Sequence, residues 1–150
     1  MKLYHGSKNL LKQIENRQAE KGESEVPKDE LLNGIYLTSD YGFAVAMAAR
    51  PDGETFIDDE KNTISFKEPK LFNSEENLYI YSFNLEDISK ENIKSIDNHQ
   101  YVVLGVNSLP ITDTEMIKAK KVFDYYELTN WKDNKEENNE LNNTFKIKLK

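Results

Sequence analysis

Two short segments indicate how this chain folds, LYHGS at residues 3–7 and GIYLTS at residues 34–39. Both contain aromatic or aliphatic side chains and end in polar residues, which is typical of short strands. His5 stands at the end of the first strand and Tyr36 lies in the second. Gly6 has no side chain to block a ligand that approaches His5. Taken singly, each residue also fits a structural role, because a histidine can cap a strand and a tyrosine can fill a core.

The residues around these segments predict strands and short helices that alternate along the chain. Helices are expected over residues 10–18, behind a cap at Ser7, over residues 40–49, behind Asp40, and over residues 112–120. Polar loops are expected over residues 20–30 and 50–60. Further strands are expected over residues 63–66, 78–83, 100–104 and 121–128. The regular long crossovers of a doubly wound sheet are missing from this pattern, so the predicted class is α+β.

Composition predicts one soluble domain. The chain has 150 residues, a net charge of −7 and no cysteine, which excludes thiol catalysis and zinc sites built from cysteine. We expect the domain over residues 1–131, followed by a charged, Asn-rich segment over residues 132–150 that can end in an edge strand. The sequence shows neither a membrane-spanning apolar run nor a signal peptide, so we expect a cytoplasmic protein without membrane contacts. The acidic balance ranks nucleic acid below protein as a partner.

Considered together, the two segments resemble the ADP-ribosyltransferase fold of the diphtheria-toxin and poly-ADP-ribose-polymerase type. Their order, spacing and neighbours all match. That family has a split mixed β-sheet with short helices, and it binds NAD through a His-Tyr-Glu triad on three strands. The resemblance implies that His5 contacts the ribose, that the backbone of Gly6 bonds the nicotinamide amide, and that Tyr36 stacks on the nicotinamide ring. It also implies NAD contacts from Ser7, Thr38, Ser39 and Met47.

The third triad position is expected in NHQYVVL at residues 98–104, which resembles the Asn-Glu-Tyr-Ile-Val pattern of the polymerase branch. Gln100 replaces the family glutamate, as in some small bacterial relatives, so the implied catalytic triad is His5, Tyr36 and Gln100. A glutamate would stabilise the positive charge that develops on the ribose, and losing such a charge commonly costs about 10²- to 10³-fold in rate. A nearby carboxylate could compensate, and the candidates are Glu86, Asp97 and Glu115.

The resemblance therefore implies an NAD-dependent mono-ADP-ribosyltransferase, of toxin, effector or phage-defence type, that transfers one ADP-ribose unit to an unidentified acceptor, in the first place a protein. NAD is its donor substrate, and no metal is expected because the two histidines form no metal-binding motif. The segments 20–33 and 50–62 would select the acceptor. One alternative is a catalytically weak module that binds NAD, ADP-ribose or a protein. Another is an enzyme like RNA 2′-phosphotransferases, with phosphate contacts from Lys8, Lys12, Arg17 and Arg50.

The acidic run at residues 58–60, Asp58-Asp59-Glu60, is a candidate for weak binding of a cation. It lacks the spacing of a 12-residue Ca²⁺-binding loop. We therefore expect it to be a solvated part of the loop over residues 50–60.

Overall fold

A computed structural model describes residues 1–11, 13–15, 17–18, 33–131 and 146–148. In chain order the strands are β1 (Lys2–Ser7), β2 (Gln13–Glu15), β3 (Arg17–Gln18), β4 (Asn33–Thr38), β5 (Glu54–Asp58), β6 (Thr63–Phe66), β7 (Asn77–Asn84), β8 (Ile93–Ser95), β9 (Gln100–Val103), β10 (Ser108–Pro110), β11 (Asp113–Lys118), β12 (Glu127–Leu128) and β13 (Lys146–Lys148). The helices that lie wholly within the described residues are α1 (Tyr41–Ala49) and three 3-10 helices, Pro69–Leu71, Leu85–Asp87 and Ala119–Asp124. The predicted α+β class is confirmed.

The main sheet has seven strands in the order β11-β7-β1-β4-β9-β8, with β3 also paired to β4. All of these neighbours are antiparallel. β1 pairs with β7 along its whole length, but its register with β4 consists of one pair, Tyr4 with Thr38. β1 and β4 therefore diverge beyond this pair, and the candidate site lies at the divergence.

The other described strands form a four-stranded sheet, β12-β6-β5-β13, and a two-stranded sheet, β10-β2. One core cluster joins α1 to buried side chains such as Ile57 of β5, Ile64 of β6 and Ile80 of β7. A second cluster joins Leu3 and Ile35 to other apolar residues of the main sheet. The main sheet thus has apolar contacts on both faces, and α1 packs against it in the cluster that also contains buried residues of the four-stranded sheet.

Helix α1 begins where the sequence predicts it. The side chain of Asp40 accepts a hydrogen bond from the backbone N–H of Phe43 at 3.0 Å and so caps the first turn. Most of the helix is buried, which its run of small alanine side chains allows. Within the described ranges, no helix is long and apolar enough to cross a bilayer.

The helix predicted over residues 10–18 is wrong, because this segment contains β2 and β3. The buried hydroxyl of Tyr81 donates to the Asn9 carbonyl at 2.6 Å and accepts from the Leu11 N–H at 2.7 Å. These bonds use backbone groups that a helix would need, and Ile14 then pairs with Leu109 in the two-stranded sheet. Long-range pairing therefore overrides the helical spacing of the leucines and isoleucine.

The predictions for residues 112–128 are exchanged relative to the structure. The expected helix over residues 112–120 is mainly strand β11, which pairs with β7 over all six of its residues. The expected strand over residues 121–128 starts within a 3-10 helix that buries Ala119 and Val122, and it is confirmed over its last two residues, which form β12. Ala119 and Val122 are three positions apart, and side chains at this spacing point the same way in a 3-10 helix. The helix can therefore bury both of them on one face.

The loop expected over residues 50–60 contains strand β5, whose Phe56 and Ile57 are buried. β5 pairs with β6 in an antiparallel register, which places this apolar pair within the four-stranded sheet. The polar segment 20–30 and most of the Asn-rich segment, residues 132–145, lie outside the described residues. Within the expected edge strand, β13 pairs with β5 at one edge of the four-stranded sheet.

Candidate functional site

A cavity of about 150 Å³ opens where β1 and β4 diverge. It is lined by residues from β1, β4, α1 and β9 and by Arg50, in full Tyr4, His5, Gly6, Tyr36, Leu37, Thr38, Phe43, Ala44, Met47, Arg50 and Gln100. Pockets that enclose a drug-sized ligand measure roughly 300–1,000 Å³. This smaller cavity is suited to a single flat ring, and the rest of a larger ligand would lie outside it.

Six of the eight site residues predicted from the sequence line this cavity: His5, Gly6, Tyr36, Thr38, Met47 and Gln100. Ser7 and Ser39 do not. The Ser7 hydroxyl accepts a hydrogen bond from the Asn9 N–H at 3.0 Å and so stabilises the turn after β1. The backbone N–H of Ser39 donates to the His99 carbonyl at 2.8 Å, which extends the contact between β4 and the start of β9.

His5 bridges the two diverging strands. Its Nδ1 lies 3.0 Å from the backbone carbonyl oxygen of Tyr36. A carbonyl can only accept a hydrogen bond, so Nδ1 carries the proton of this contact. In the neutral ring, Nε2 is then the nitrogen with acceptor character. The half-buried imidazole is thereby oriented at the cavity wall without a charge being required.

Tyr36 and Met47 lie on two different elements that line the cavity. Along β4, Ile35 and Leu37 are 1% and 3% exposed, whereas Tyr36 between them is half-buried. Met47 is likewise half-buried, while Ala46 and Ala48 beside it in α1 are buried. An aromatic ring and a thioether are both good packing partners for a flat ligand ring.

Gln100 is held at the first position of β9 by Asp97. The Gln100 side-chain nitrogen Nε2 donates to Asp97 Oδ2 at 2.6 Å. Asp97 Oδ1 accepts from the backbone N–H groups of His99 at 2.9 Å and Gln100 at 2.8 Å. Partial burial alone would raise the pKa of Asp97, but the hydrogen bonds from His99 and Gln100 outweigh it and lower that pKa. Asp97 is therefore ionised at neutral pH.

Only one of the three candidate compensating carboxylates is bonded to Gln100. Glu86 forms an ion pair with the N-terminal amine of Met1 at 2.9 Å, on the exposed surface. Glu115, in edge strand β11, accepts a hydrogen bond from the Tyr41 hydroxyl. Neither residue lines the cavity. Asp97 is thus the carboxylate that can influence Gln100 directly.

Gly6 is required by packing of the strand against the helix. A Cβ atom at this position would lie 2.1 Å from the Ala44 carbonyl oxygen and 2.9 Å from the Ala48 Cβ. Both distances are shorter than real Cβ contacts, and the backbone of α1 would have to move. The sequence explains Gly6 by the free approach of a ligand. The structure adds a second reason, close packing of β1 against α1, which the sequence did not reveal.

His99 lies beside the cavity in a polar network that the sequence analysis missed. Its Nδ1 is 3.0 Å from the Thr38 hydroxyl oxygen, and its Nε2 is 3.1 Å from Asp59 Oδ2. The Tyr126 hydroxyl donates to the other Asp59 oxygen at 3.1 Å, and the Phe43 ring lies 4.6 Å from the imidazole centre. The network links β4 and β9 of the main sheet to the turn that follows β5.

The charge state of His99 follows from this surrounding. Burial alone would lower its pKa, but the hydrogen bond and charge of Asp59, with smaller contributions from Asp97 and Asp40, raise it above the usual value. The same environment raises the pKa of Tyr126, through burial first and then through the Asp59 charge. Asp59 thus favours the protonated, cationic form of His99.

The acidic run Asp58-Asp59-Glu60 is not simply a solvated loop, which corrects the sequence-based expectation. Asp58 is 7% exposed, and its Oδ1 accepts the N–H groups of Glu60 and Lys61 at 3.0 and 3.1 Å. Asp59 belongs to the His99 network. Among the described residues, no group of three or more His, Cys, Asp or Glu side chains is arranged to hold a metal ion.

Two of the four basic residues considered as phosphate contacts lie together. Arg50 lines the cavity and its Nε donates to the Met47 carbonyl at 3.0 Å, while Lys8 Nζ donates to the Arg50 carbonyl. Burial, followed by the positive charge of Arg50, lowers the pKa of Lys8, although nearby carboxylates oppose this effect. Lys12 and the side chain of Arg17 lie outside the described residues. The phosphotransferase alternative stays a prediction.

Comparison with family models, with curated proteins and with solved structures finds no match to this chain. The cavity and the residues that line it are therefore the features of this chain that indicate a function.

Proposed function

We propose that this chain is an NAD-dependent mono-ADP-ribosyltransferase with a split-sheet fold of the ADP-ribosyltransferase type. One observation carries the proposal: His5, Tyr36 and Gln100, which are far apart in sequence and lie on three strands of one sheet, line a single cavity suited to one ring. The sequence motifs around these residues resemble that family, and the nicotinamide ring is the natural occupant of the cavity in this proposal.

The proposed reaction breaks the bond between nicotinamide nitrogen and ribose C1′. The electron pair of that bond moves to the nitrogen, which neutralises the pyridinium ring, and the ribose gains oxocarbenium character. A nucleophile of the acceptor then forms the new bond at C1′ and releases its proton to solvent. The reaction is thus one group transfer without any redox step.

Each of the three residues has a chemical task in this reaction. His5, with its proton on Nδ1, offers Nε2 as an acceptor for a ribose hydroxyl. Tyr36 packs on the nicotinamide ring. Gln100 accepts the ribose 2′-hydroxyl through its amide oxygen. Fixed polar groups that face the developing charge are the largest source of rate acceleration in many enzymes.

The acceptor in this proposal is a protein, and the site of action is the cytoplasm. The chain has a net charge of −7 and two arginines, which disfavours a long phosphate backbone as partner. A small chain with this activity would act as a toxin, an effector or a phage-defence protein. Of the two segments expected to choose the acceptor, residues 20–32 lie outside the described residues, and residues 54–58 form β5 rather than a loop.

The test is nicotinamide release from NAD, followed by proton NMR on purified protein without an added acceptor, so that water is the nucleophile that bonds to C1′. Tyr36→Ala should weaken NAD binding about 10-fold, because a lost ring contact costs about 1 kcal/mol or more. Tyr101→Ala is the matched control, since Tyr101 is a half-buried tyrosine of the neighbouring strand that does not line the cavity. Equal loss of binding in both variants would contradict a stacking role for Tyr36, and an absence of both release and NAD binding would contradict the function.

A second candidate, a module that binds NAD or ADP-ribose without cleaving it, is favoured by one observation. Gln100 carries no charge, so the cavity lining itself supplies no carboxylate. NAD binding that depends on Tyr36, combined with no nicotinamide release by wild type or by Gln100→Glu either alone or with cell lysate added as a source of acceptors, would support this second candidate.

A further inference from the structure

We propose that Asp97 is the positioning residue of this site: it fixes the Gln100 amide with its oxygen toward the ligand and supplies the negative charge that Gln100 lacks. This inference rests on the proposed function. It concerns a residue outside the cavity lining, three positions before Gln100 in the turn between β8 and β9.

The contact with Asp97 determines which end of the Gln100 side-chain amide faces the cavity. An ionised carboxylate has only acceptor oxygens, so the end of the Gln100 amide that faces Asp97 must be the NH₂ group. The contact of 2.6 Å between Nε2 and Oδ2 is short, as expected for a hydrogen bond to a charged acceptor. With the nitrogen end directed to Asp97, the oxygen is the end of the amide left for a ligand hydroxyl.

The negative charge of Asp97 acts on the same Gln100 amide. The Asp97 carboxylate lies one hydrogen bond behind an amide that lines the cavity. Asp97 is exposed, so solvent screens part of its charge, but a carboxylate in direct hydrogen-bond contact still polarises the amide and makes its oxygen a stronger acceptor. In the pair Asp97–Gln100, the amide contacts the ribose and the negative charge lies one hydrogen bond further away. A glutamate at position 100 would bring its own negative charge into direct contact with the ribose.

The turn between β8 and β9 keeps the Asp97 carboxylate in place. Asp97 Oδ1 accepts two backbone N–H groups, from His99 and Gln100, while Oδ2 alone bonds the Gln100 side chain. The two oxygens therefore have separate tasks, one structural and one directed at the amide. A substitution that keeps the first task and removes the second can distinguish them.

Asp97→Asn is that substitution. The asparagine Oδ1 can still accept the two backbone N–H groups, but its Nδ2 cannot accept from the Gln100 NH₂ group. The Gln100 amide is then expected to rotate and present its NH₂ group to the cavity. We expect kcat for nicotinamide release to fall about 10- to 100-fold, with KM for NAD changed less than about threefold, because this contact strengthens in the transition state.

The rescue variant is Gln100→Glu, whose carboxylate needs no orientation and carries its own charge. In this background, Asp97→Asn should change kcat less than about threefold, or should raise it, since the two carboxylates would repel each other. Asp87→Asn is the matched control: its Oδ2 lies 3.5 Å from the Asn84 amide nitrogen, away from the cavity. This control should leave kcat unchanged. An equal loss from Asp97→Asn in both backgrounds would show a purely structural role and would overturn the inference.

A second measurement does not require activity. The side-chain amide of Gln100 gives its own signals in a ¹H–¹⁵N NMR spectrum, and Asp97→Asn should move them upfield while Asp87→Asn should not. Unmoved Gln100 signals would overturn the positioning role. Moved signals with unchanged kcat would overturn the catalytic effect alone. If wild type and Gln100→Glu neither release nicotinamide nor bind NAD, the proposed function fails together with that catalytic effect, whereas the positioning role is still decided by these signals.

Discussion

The two histidines of this chain lie in neighbouring regions and bond to different kinds of acceptor. His5 lies at the cavity, where its Nδ1 faces the Tyr36 carbonyl. His99 lies outside the cavity lining, between the Thr38 hydroxyl and the Asp59 carboxylate, with 18% of its side chain exposed. A carbonyl orients an imidazole without requiring a charge, whereas a carboxylate favours the imidazolium. Residue type alone therefore does not assign a role; the bonding partners do.

The two histidines are expected to serve different purposes, His5 in ligand binding and His99 in the stability of the fold. In the proposed function, His5 contacts a ribose hydroxyl. His99 instead connects the main sheet to the turn after β5, through Asp59. The following predictions compare these two regions directly, because each variant should affect one region more than the other.

The largest expected difference is in activity. His5→Ala should lower nicotinamide release at least about 100-fold, since it removes a contact to the reacting ribose. His99→Ala should lower it less than about 10-fold, because His99 does not line the cavity and reaches it through the Thr38 hydroxyl and the Phe43 ring. Initial rates at pH 7 and saturating NAD measure both effects. A larger loss from His99→Ala than from His5→Ala would reverse the assignment of the two histidines.

The next difference is in stability and has the opposite order. His99→Ala should cost about 2 kcal/mol of unfolding free energy, because it removes a charge-assisted hydrogen bond and a ring contact with Phe43. His5→Ala should cost about 1 kcal/mol, the usual value for one neutral hydrogen bond. Urea unfolding at pH 6 gives both values. Equal costs would mean that Asp59 contributes nothing beyond an ordinary hydrogen bond.

A smaller effect should appear as pH dependence. The pKa of His99 is raised in the fold, so the stability contributed by this charge is fully present below the unfolded pKa of about 6.5 and is lost as pH rises through the folded pKa. The gap in stability between wild type and Asp59→Asn should therefore narrow from pH 5.5 to pH 8.5. Asp97 and Asp40, which also face His99, are present in both proteins. A gap that stays constant or widens would contradict the charge pairing.

The smallest expected effect is that of Tyr126→Phe. This substitution removes the hydrogen bond from the Tyr126 hydroxyl to Asp59 and keeps the ring in the core. The cost should be about 1 kcal/mol, and nicotinamide release should stay within about twofold of wild type. Urea unfolding and the NMR assay measure the two quantities. A loss of activity as large as that of His5→Ala would place Tyr126 in the reaction rather than in the network.

The sequence predicts those parts of the molecule in which local chemistry agrees with the tertiary structure. Strands β1 and β4 follow from their apolar and β-branched residues, and α1 follows from the Asp40 cap and the small residues behind it. Six of the eight predicted site residues line one cavity, because they lie in β1, β4, α1 and β9, all of which the sequence predicts. Short-range signals are sufficient in these regions.

The sequence fails where distant contacts decide the local structure. The helical spacing of residues 10–18 gives way to strands because the Tyr81 hydroxyl, about 70 positions away, bonds their backbone. Asp59 is read as a solvated charge because its partners, His99 and Tyr126, come from two distant segments. Asp97 is the intermediate case: its proximity to Gln100 in sequence makes it a candidate, but only the geometry distinguishes it from Glu86 and Glu115.

The most direct measurement is a crystal structure with an NAD analogue in which carbon replaces the ribose ring oxygen, so that the glycosidic bond is not cleaved. We predict that the nicotinamide ring lies in the cavity against Tyr36 and that the Gln100 amide oxygen lies within hydrogen-bonding distance of the 2′-hydroxyl. We also predict that Asp97 keeps its bond to Gln100. An analogue bound elsewhere on the protein, with Tyr36 and His5 free of contact, would contradict the assignment of this cavity to NAD.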